Sequence, residues 1–104
     1  MKNSLKKGKE FLSVYEHKKC VVDKYFCVYS LKNNLEYNRI GISVSKRVGN
    51  SVVRHKITRQ IREIFKDIDK KLGYDFVIVA RIPSRDIDFF KKKSSIERLI
   101  NKIN

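Results

Sequence analysis

The chain has no tryptophan, a single proline and only four glycines. So little proline and glycine excludes collagen-like and low-complexity architectures. Pro83 alone breaks the pattern, so helices and strands can run undisturbed until the last quarter of the chain. No apolar run approaches the roughly 20 residues of a spanning helix. The basic segment Met1 to Lys7 is not followed by the apolar stretch of a secretory signal. The expectation is a cytoplasmic protein that does not enter a membrane. Cysteine is scarce too. Cys20 and Cys27 match no zinc-binding spacing. On one continuous strand they would point to opposite faces, about 23 Å apart, too far for a disulfide. Two reduced cysteines in or beside a core are expected.

Negative charge is the other shortage: 11 acidic residues stand against 25 lysines and arginines. The acids are also scattered, at Glu10, Glu16, Asp23, Glu36, Glu63, Asp67, Asp69, Asp75, Asp86, Asp88 and Glu97. Metal-dependent nucleases need clustered carboxylates, and Asp67 and Asp69 cannot share a helical face. His17 and His55 have no evident nucleophile or paired acid. A self-sufficient nuclease is therefore not expected, and neither is a metal site on the protein. What remains is positive charge, a net +14 on 104 residues. A chain of this length suits one domain and buries roughly 65% of its unfolded surface. So basic a domain calls for an anionic partner, with nucleic acid first.

The apolar pattern predicts an α+β fold. Phe11, Val14 and Tyr15 give one face of a short helix over 8–18. Residues 20–31 are rich in β-branched and aromatic types and form a strand, open to division in two. Tyr25, Cys27 and Tyr29 share one of its faces, and Phe26, Val28 and Ser30 share the other. Lys32, Asn33 and Asn34 supply a turn. Over 38–46 the alternation is clear: Ile40, Ile42 and Val44 point to a core, while Gly41, Ser43 and Ser45 make a smooth polar face. Gly49-Asn50-Ser51 can cap a helix. From Val53 through Ile57, Ile61, Ile64, Phe65 and Ile68 to Leu72 the period is helical, and Gly73 is a natural stop. Residues 74–81 are apolar on both parities, as in a strand buried on both faces, and Pro83 ends it. Ile96, Leu99, Ile100 and Ile103 mark a terminal helix starting near Asp88. The order is α-β-β(-β)-α-β-α, a two-layer α/β sandwich whose mixed sheet contains a βαβ crossover.

Positive charge is densest from Lys46 to Arg62, where Lys46, Arg47, Arg54, Lys56, Arg59 and Arg62 meet no intervening acid. On a helical wheel Arg59, Arg62 and Lys66 lie opposite the apolar arc, with Arg54 and Lys56 flanking them. A solvated outer face is the plain alternative. Against it, no acid offers i,i+4 pairing before Glu63, arginine's planar fork suits phosphate, and the stripe starts at a helix N-terminus. Aromatic rings beside cations suit unstacked bases of single-stranded RNA. Phe11, Tyr15 and Tyr29, beside the Gly41/Ser43/Ser45 face, are candidates for such a groove. Phe26 is expected in the core.

The run Arg39-Ile40-Gly41-Ile42-Ser43-Val44-Ser45-Lys46-Arg47, then Val48-Gly49-Asn50-Ser51-Val52-Val53, then Arg54-His55-Lys56-Ile57-Thr58-Arg59-Gln60-Ile61-Arg62-Glu63 closely resembles the signature of the bacterial ribonuclease P protein family. That signature is a G-x-S-V-S-K-K strand end, a G-N-A-V turn and an R-N-x-x-K-R-x-x-R helix. Leu5-Lys6 through Phe11, Val14 and Tyr15, and Tyr74 through Pro83, resemble the family's early and late patterns. The resemblance implies a left-handed βαβ crossover, against the general preference. It also implies a protein, monomeric in its complex, that helps a catalytic RNA trim the 5′ leader from precursor tRNA as part of an endonuclease, a hydrolase. The hydrolysis and its Mg2+ would belong to the RNA. The RNA contacts implied are Arg54, Lys56, Arg59 and Arg62, with Lys46, Arg47, His55 and Lys66 beside them. The implied leader cleft holds Phe11, Tyr15, Tyr29 and Ser43, with Ser45 on the same face. His55 departs from the family's usual Asn, and Thr58 replaces a residue that is often basic. An RNA-binding protein of ribosomal or nucleoid type is the alternative; it would need the charge but not the cleft.

Overall fold

The computed structural model describes residues 4–5, 14, 19–68 and 73–103. Four strands, β1 (Cys20–Val22), β2 (Phe26–Lys32), β3 (Arg39–Val44) and β4 (Tyr74–Ala80), form one sheet in the order β1-β2-β4-β3. Helix α1 (Ser51–Ile68) lies between β3 and β4, and a 3-10 turn (Ile82–Asp86) leads into α2 (Phe89–Asn101). β3 and β4 are parallel neighbours while the other pairings are antiparallel. A parallel pair needs a long crossover, and α1 provides it. Of the helix expected over 8–18, only Val14 lies among the described residues, and its backbone is helical. Residues 69–72, expected to end the long helix, lie outside them.

Strand parity sorts the sheet into two faces. Phe26 and Val28 of β2, Phe76, Ile78 and Ala80 of β4, and Ile40 of β3 face the helices. There they meet Ile57, Ile61, Ile64 and Phe65 of α1 and Ile96, Leu99 and Ile100 of α2. Phe76 meets Phe65 edge-on at 5.9 Å and stacks on Tyr74 at 5.6 Å. Each such side chain, fully buried, contributes about 1.5–3 kcal/mol. On the other face Val77 packs with Leu5 and Val14, flanked by Tyr29, Leu31 and Val79. Gly41 is buried on this face, so the polar surface expected along β3 is open only in part.

The 20–31 region is two strands, not one. The Asp23 carboxylate accepts the N–H groups of Tyr25 and Phe26, both at 2.8 Å, and the Ser95 hydroxyl donates to it from α2. This turn folds β1 back on β2 with Cys20 opposite Tyr29 and Val22 opposite Cys27. Both cysteines therefore share one face as diagonal neighbours, and the separation expected for a continuous strand is corrected. Tyr25 does not share their face. It sits in the turn, packed against the helix-side core, with Lys91 5.5 Å from its ring centroid.

The expected punctuation is present. Asn50 caps α1, its side-chain oxygen accepting the Val53 N–H at 3.0 Å. A Cβ on Gly49 would stand 2.8 Å from Val53 Cγ1, so this approach requires glycine. Gly73 has φ +83°, the left-handed region glycine tolerates. β3 ends at Val44 rather than residue 46, because the Ser45 carbonyl turns to accept the Val48 N–H at 3.1 Å. Asp88 caps α2 by accepting the Lys91 N–H at 2.8 Å.

Candidate nucleic-acid interface

Helix α1 turns its apolar stripe to the sheet and leaves the opposite crest to solvent. His55, Lys56, Arg59 and Lys66 are exposed on that crest, and Lys46 and Arg47 are exposed in the turn before it. Among the described residues, Lys46, Arg47, Lys56 and Arg59 have no acidic ion-pair partner. Lys66 meets Glu63 at 3.5 Å, but both are well exposed, and such pairs contribute little. No acid occupies the first turn of α1, so the N-terminal end of its dipole adds to the positive field.

Two arginines sit lower than a helical wheel implies. Arg62 is half-buried and donates from Nη1 to the Ser4 hydroxyl at 3.1 Å. Arg54 is also half-buried, and its Nε is buried without a hydrogen-bond partner. For Arg62, the contact with Ser4 helps to set how deep it sits.

The crest continues into a groove between α1 and α2 of about 800 Å³, walled by Val52, His55, Lys56, Arg59 and Gln60 and closed by Phe89. The Gln60 side-chain oxygen is buried there without a donor. Lys92 of α2 is buried, donating its ammonium to the Ile87 carbonyl at 2.6 Å. Its pKa is pushed down by burial and by the charge of Lys56, with Asp88 acting the other way. Charge and periodicity along the chain do not single out Phe89, Phe90 or Lys92. The one signal for them is the adjacent Phe pair, since successive helical residues cannot both face the core.

On the sheet face away from the helices, Tyr29 pairs in register with Val77 and Gly41, and Cys27 with Val79 and Ser43. Tyr29 and Ser43 therefore share that face in adjacent rows, with β4 between them, about 10 Å apart across the strands. Both are half-buried. Ser45 is exposed in the turn beyond β3 and lines a separate small hollow with Arg47 and Arg81. Phe11 and Tyr15 lie outside the described residues. The Cys27 thiol is pushed up by burial, with the Tyr29 hydroxyl lowering it and the neighbouring Cys20 raising it again.

One end of this face is closed by a buried ion pair. Asp75, 4% exposed, accepts Arg39 Nε at 2.9 Å and Nη2 at 2.7 Å, and the Asn33 amide at 2.8 Å. Among the described residues no group of three or more His, Cys, Asp or Glu side chains is placed to hold a metal ion. Nor is any helix among them long and apolar enough to cross a membrane.

The profile of the Ribonuclease P family matches residues 1–104. The ribonuclease P protein component of Clostridioides difficile is 43% identical over 101 residues, covering 94% of this chain and 89% of that one. That of Lachnoclostridium phytofermentans is 46% identical over 101 residues, covering 95% and 87%. The RNase P protein of Staphylococcus aureus superposes with a TM-score of 0.88 at 36% identity, covering 95% of this chain and 93% of that one. The Thermotoga maritima protein superposes at 0.90 with 28% identity and 97% coverage of both. Sequence and fold agree along the whole length, and the chain belongs to the ribonuclease P protein family.

Proposed function

We propose that this chain is the protein subunit of a ribonuclease P ribonucleoprotein and contributes binding, not bond cleavage, to 5′ maturation of tRNA. The crest of α1, with Lys46 and Arg47, binds the catalytic RNA. The sheet face of Tyr29 and Ser43 receives the single-stranded 5′ leader of precursor tRNA. The observation that carries this reading is the row of unpaired cations on α1, beside a helix start that carries no acid. Neutralising phosphates there releases counterions and drives association. Tyr29 adds a ring on which a base can stack, and small Ser43 leaves room for a backbone to approach.

The RNA carries the hydrolysis, and Mg2+ bound to it supplies an activated water. The chain's own part is to hold the leader on one surface and the RNA on another, converting a diffusional encounter into a positioned one. The test is reconstitution with ribonuclease P RNA and labelled precursor tRNA. The protein alone should leave the substrate intact at any Mg2+ concentration. With the RNA, cleavage should be accurate and need less Mg2+ than the RNA alone. Cleavage by RNA-free protein would sink the reading.

A further inference from the structure

The solvent side of α2 and the turn between β1 and β2 carry a second group of cations and rings, separate from the α1 crest. Phe90 is the most exposed aromatic side chain among the described residues, 74% accessible. With Lys91, Ser94, Glu97 and Arg98 it lines a hollow of about 710 Å³. Lys91 joins this hollow to the turn. Its ammonium lies 5.5 Å from the Tyr25 ring centroid, and that of Lys24 lies 5.8 Å from the same centroid. Among the described residues, Lys24, Lys91 and Arg98 have no acidic ion-pair partner. Asp88 is taken up in capping α2, and Asp23 in accepting the Ser95 hydroxyl and the N–H groups of Tyr25 and Phe26. Glu97 is the one acid lining the hollow. The bond between Asp23 and Ser95 ties the turn to α2, so rings and cations are held together before any partner arrives.

We propose that this surface is a second docking site for the catalytic RNA: a backbone phosphate sits between Lys24 and Lys91 beside Tyr25, and the adjoining base lies on Phe90. The inference rests on the reading of this chain as the partner of that RNA, but it uses none of the α1 residues. Two ammonium groups at one ring repel each other, and a shared phosphate reverses that sign with charge-assisted hydrogen bonds to both. Cations interleaved with aromatic rings are the pattern that holds an unpaired nucleotide. A net charge of +14 opposes a second copy of the chain as the occupant. α1 and α2 pack on the same face of the sheet, so one large RNA can reach both. Tyr29 and Ser43 lie on the other face, so leader and docking site would be bound independently.

The chain lacks tryptophan, so Phe90→Trp introduces a single fluorescent reporter. Titration of this variant with ribonuclease P RNA, without substrate, should quench the indole emission. Phe90→Ala should keep the wild-type melting temperature and bind that RNA roughly 5- to 150-fold more weakly. The double variant Lys24→Ala, Lys91→Ala should also stay folded, with a slope of log affinity against log salt smaller by about 0.7–0.9 for the phosphate lost. Unquenched emission, or an unchanged slope in the double variant, would overturn the second site. Alanine at Lys56 and Arg59 would still lower the slope in that case, leaving α1 as the RNA face. Quenching that appears only on adding precursor tRNA would overturn the assignment to the catalytic RNA. A blue shift with phosphatidylglycerol vesicles and no response to the RNA would make this a membrane surface and overturn the proposal. Failure of the wild-type chain to bind the RNA at all would overturn the underlying reading as well.

Discussion

The two faces of the sheet are made from alternate residues of the same strands, yet they do different work. The helix-side face is a continuous layer of Phe, Ile and Val, sealed by α1 and α2. The opposite face presents Cys27, Tyr29, Ser43 and buried Gly41 beside a small cluster of Leu5, Val14 and Val77. One face secures the fold, and the other keeps small and polar groups, where the proposed function places the leader. Because side chains alternate strictly along a strand, a change at one position should harm stability or binding, while a change at the next harms the other.

Phe76→Ala, in the middle of the sealed face, should be the most damaging, at about 3–5 kcal/mol of stability. Urea denaturation measures it, and a loss under about 1 kcal/mol would show that the layer is not the core. Asp75→Ala tests an exception, because Asp75 lies on the opposite parity. Removing it takes the bidentate carboxylate from Arg39 and one hydrogen bond from Asn33, and breaking a buried pair costs up to about 3–5 kcal/mol. A neutral outcome would mean that water reaches this end of the sheet.

Tyr29→Ala should split the two faces most cleanly. Its stability cost should be small, but affinity for leader-bearing precursor should fall roughly 5- to 150-fold while mature tRNA is barely affected. An unchanged precursor-to-mature ratio in a folded variant would return the ring to a packing role. On α1, alanine at Lys56 and Arg59 should reduce the slope of log affinity against log salt by about 0.7–0.9 for each phosphate no longer neutralised. Arg62, already bonded to Ser4, should change that slope less than Arg59; equal slopes would mean that it leaves Ser4 on binding.

The smallest effect concerns pH. Burial raises the Asp23 pKa, but hydrogen bonds from Ser95, Phe26 and Tyr25 and the charge of Arg98 outweigh it, and the carboxyl lies below its usual range. A depressed folded pKa gives stability that is present above the unfolded pKa and lost as pH falls through the folded one. Asp23→Asn should therefore lower stability at neutral pH and flatten its acid limb. An acid limb identical to wild type would mean the turn holds without the charge.

Much of the fold was legible because its signals are local. The β3 alternation, the α1 period, the Asn50 and Asp88 caps and the doubly apolar β4 each depend on residues a few places apart. The hairpin at Asp23 was harder to place, since both of its arms are apolar and the turn depends on Ser95, far away in sequence. The cationic crest was readable for the same reason as the helix: a wheel predicts which side lacks apolar groups. How deep each cation sits was not: Arg62, for one, is held by Ser4, far away in sequence.

By itself, the sequence determined a basic α+β chain with one cationic helix and a recognisable family signature. Charge, periodicity and motif are properties of order along the chain and need no partner element. Only the tertiary structure decided that Cys20 and Cys27 are neighbours, that Lys92 is buried, and that Phe89 stands against the basic helix. Each of these is a contact between segments distant in sequence, fixed by strand register or by helix packing against a shared sheet. No local pattern of residue types encodes the distance between two such segments.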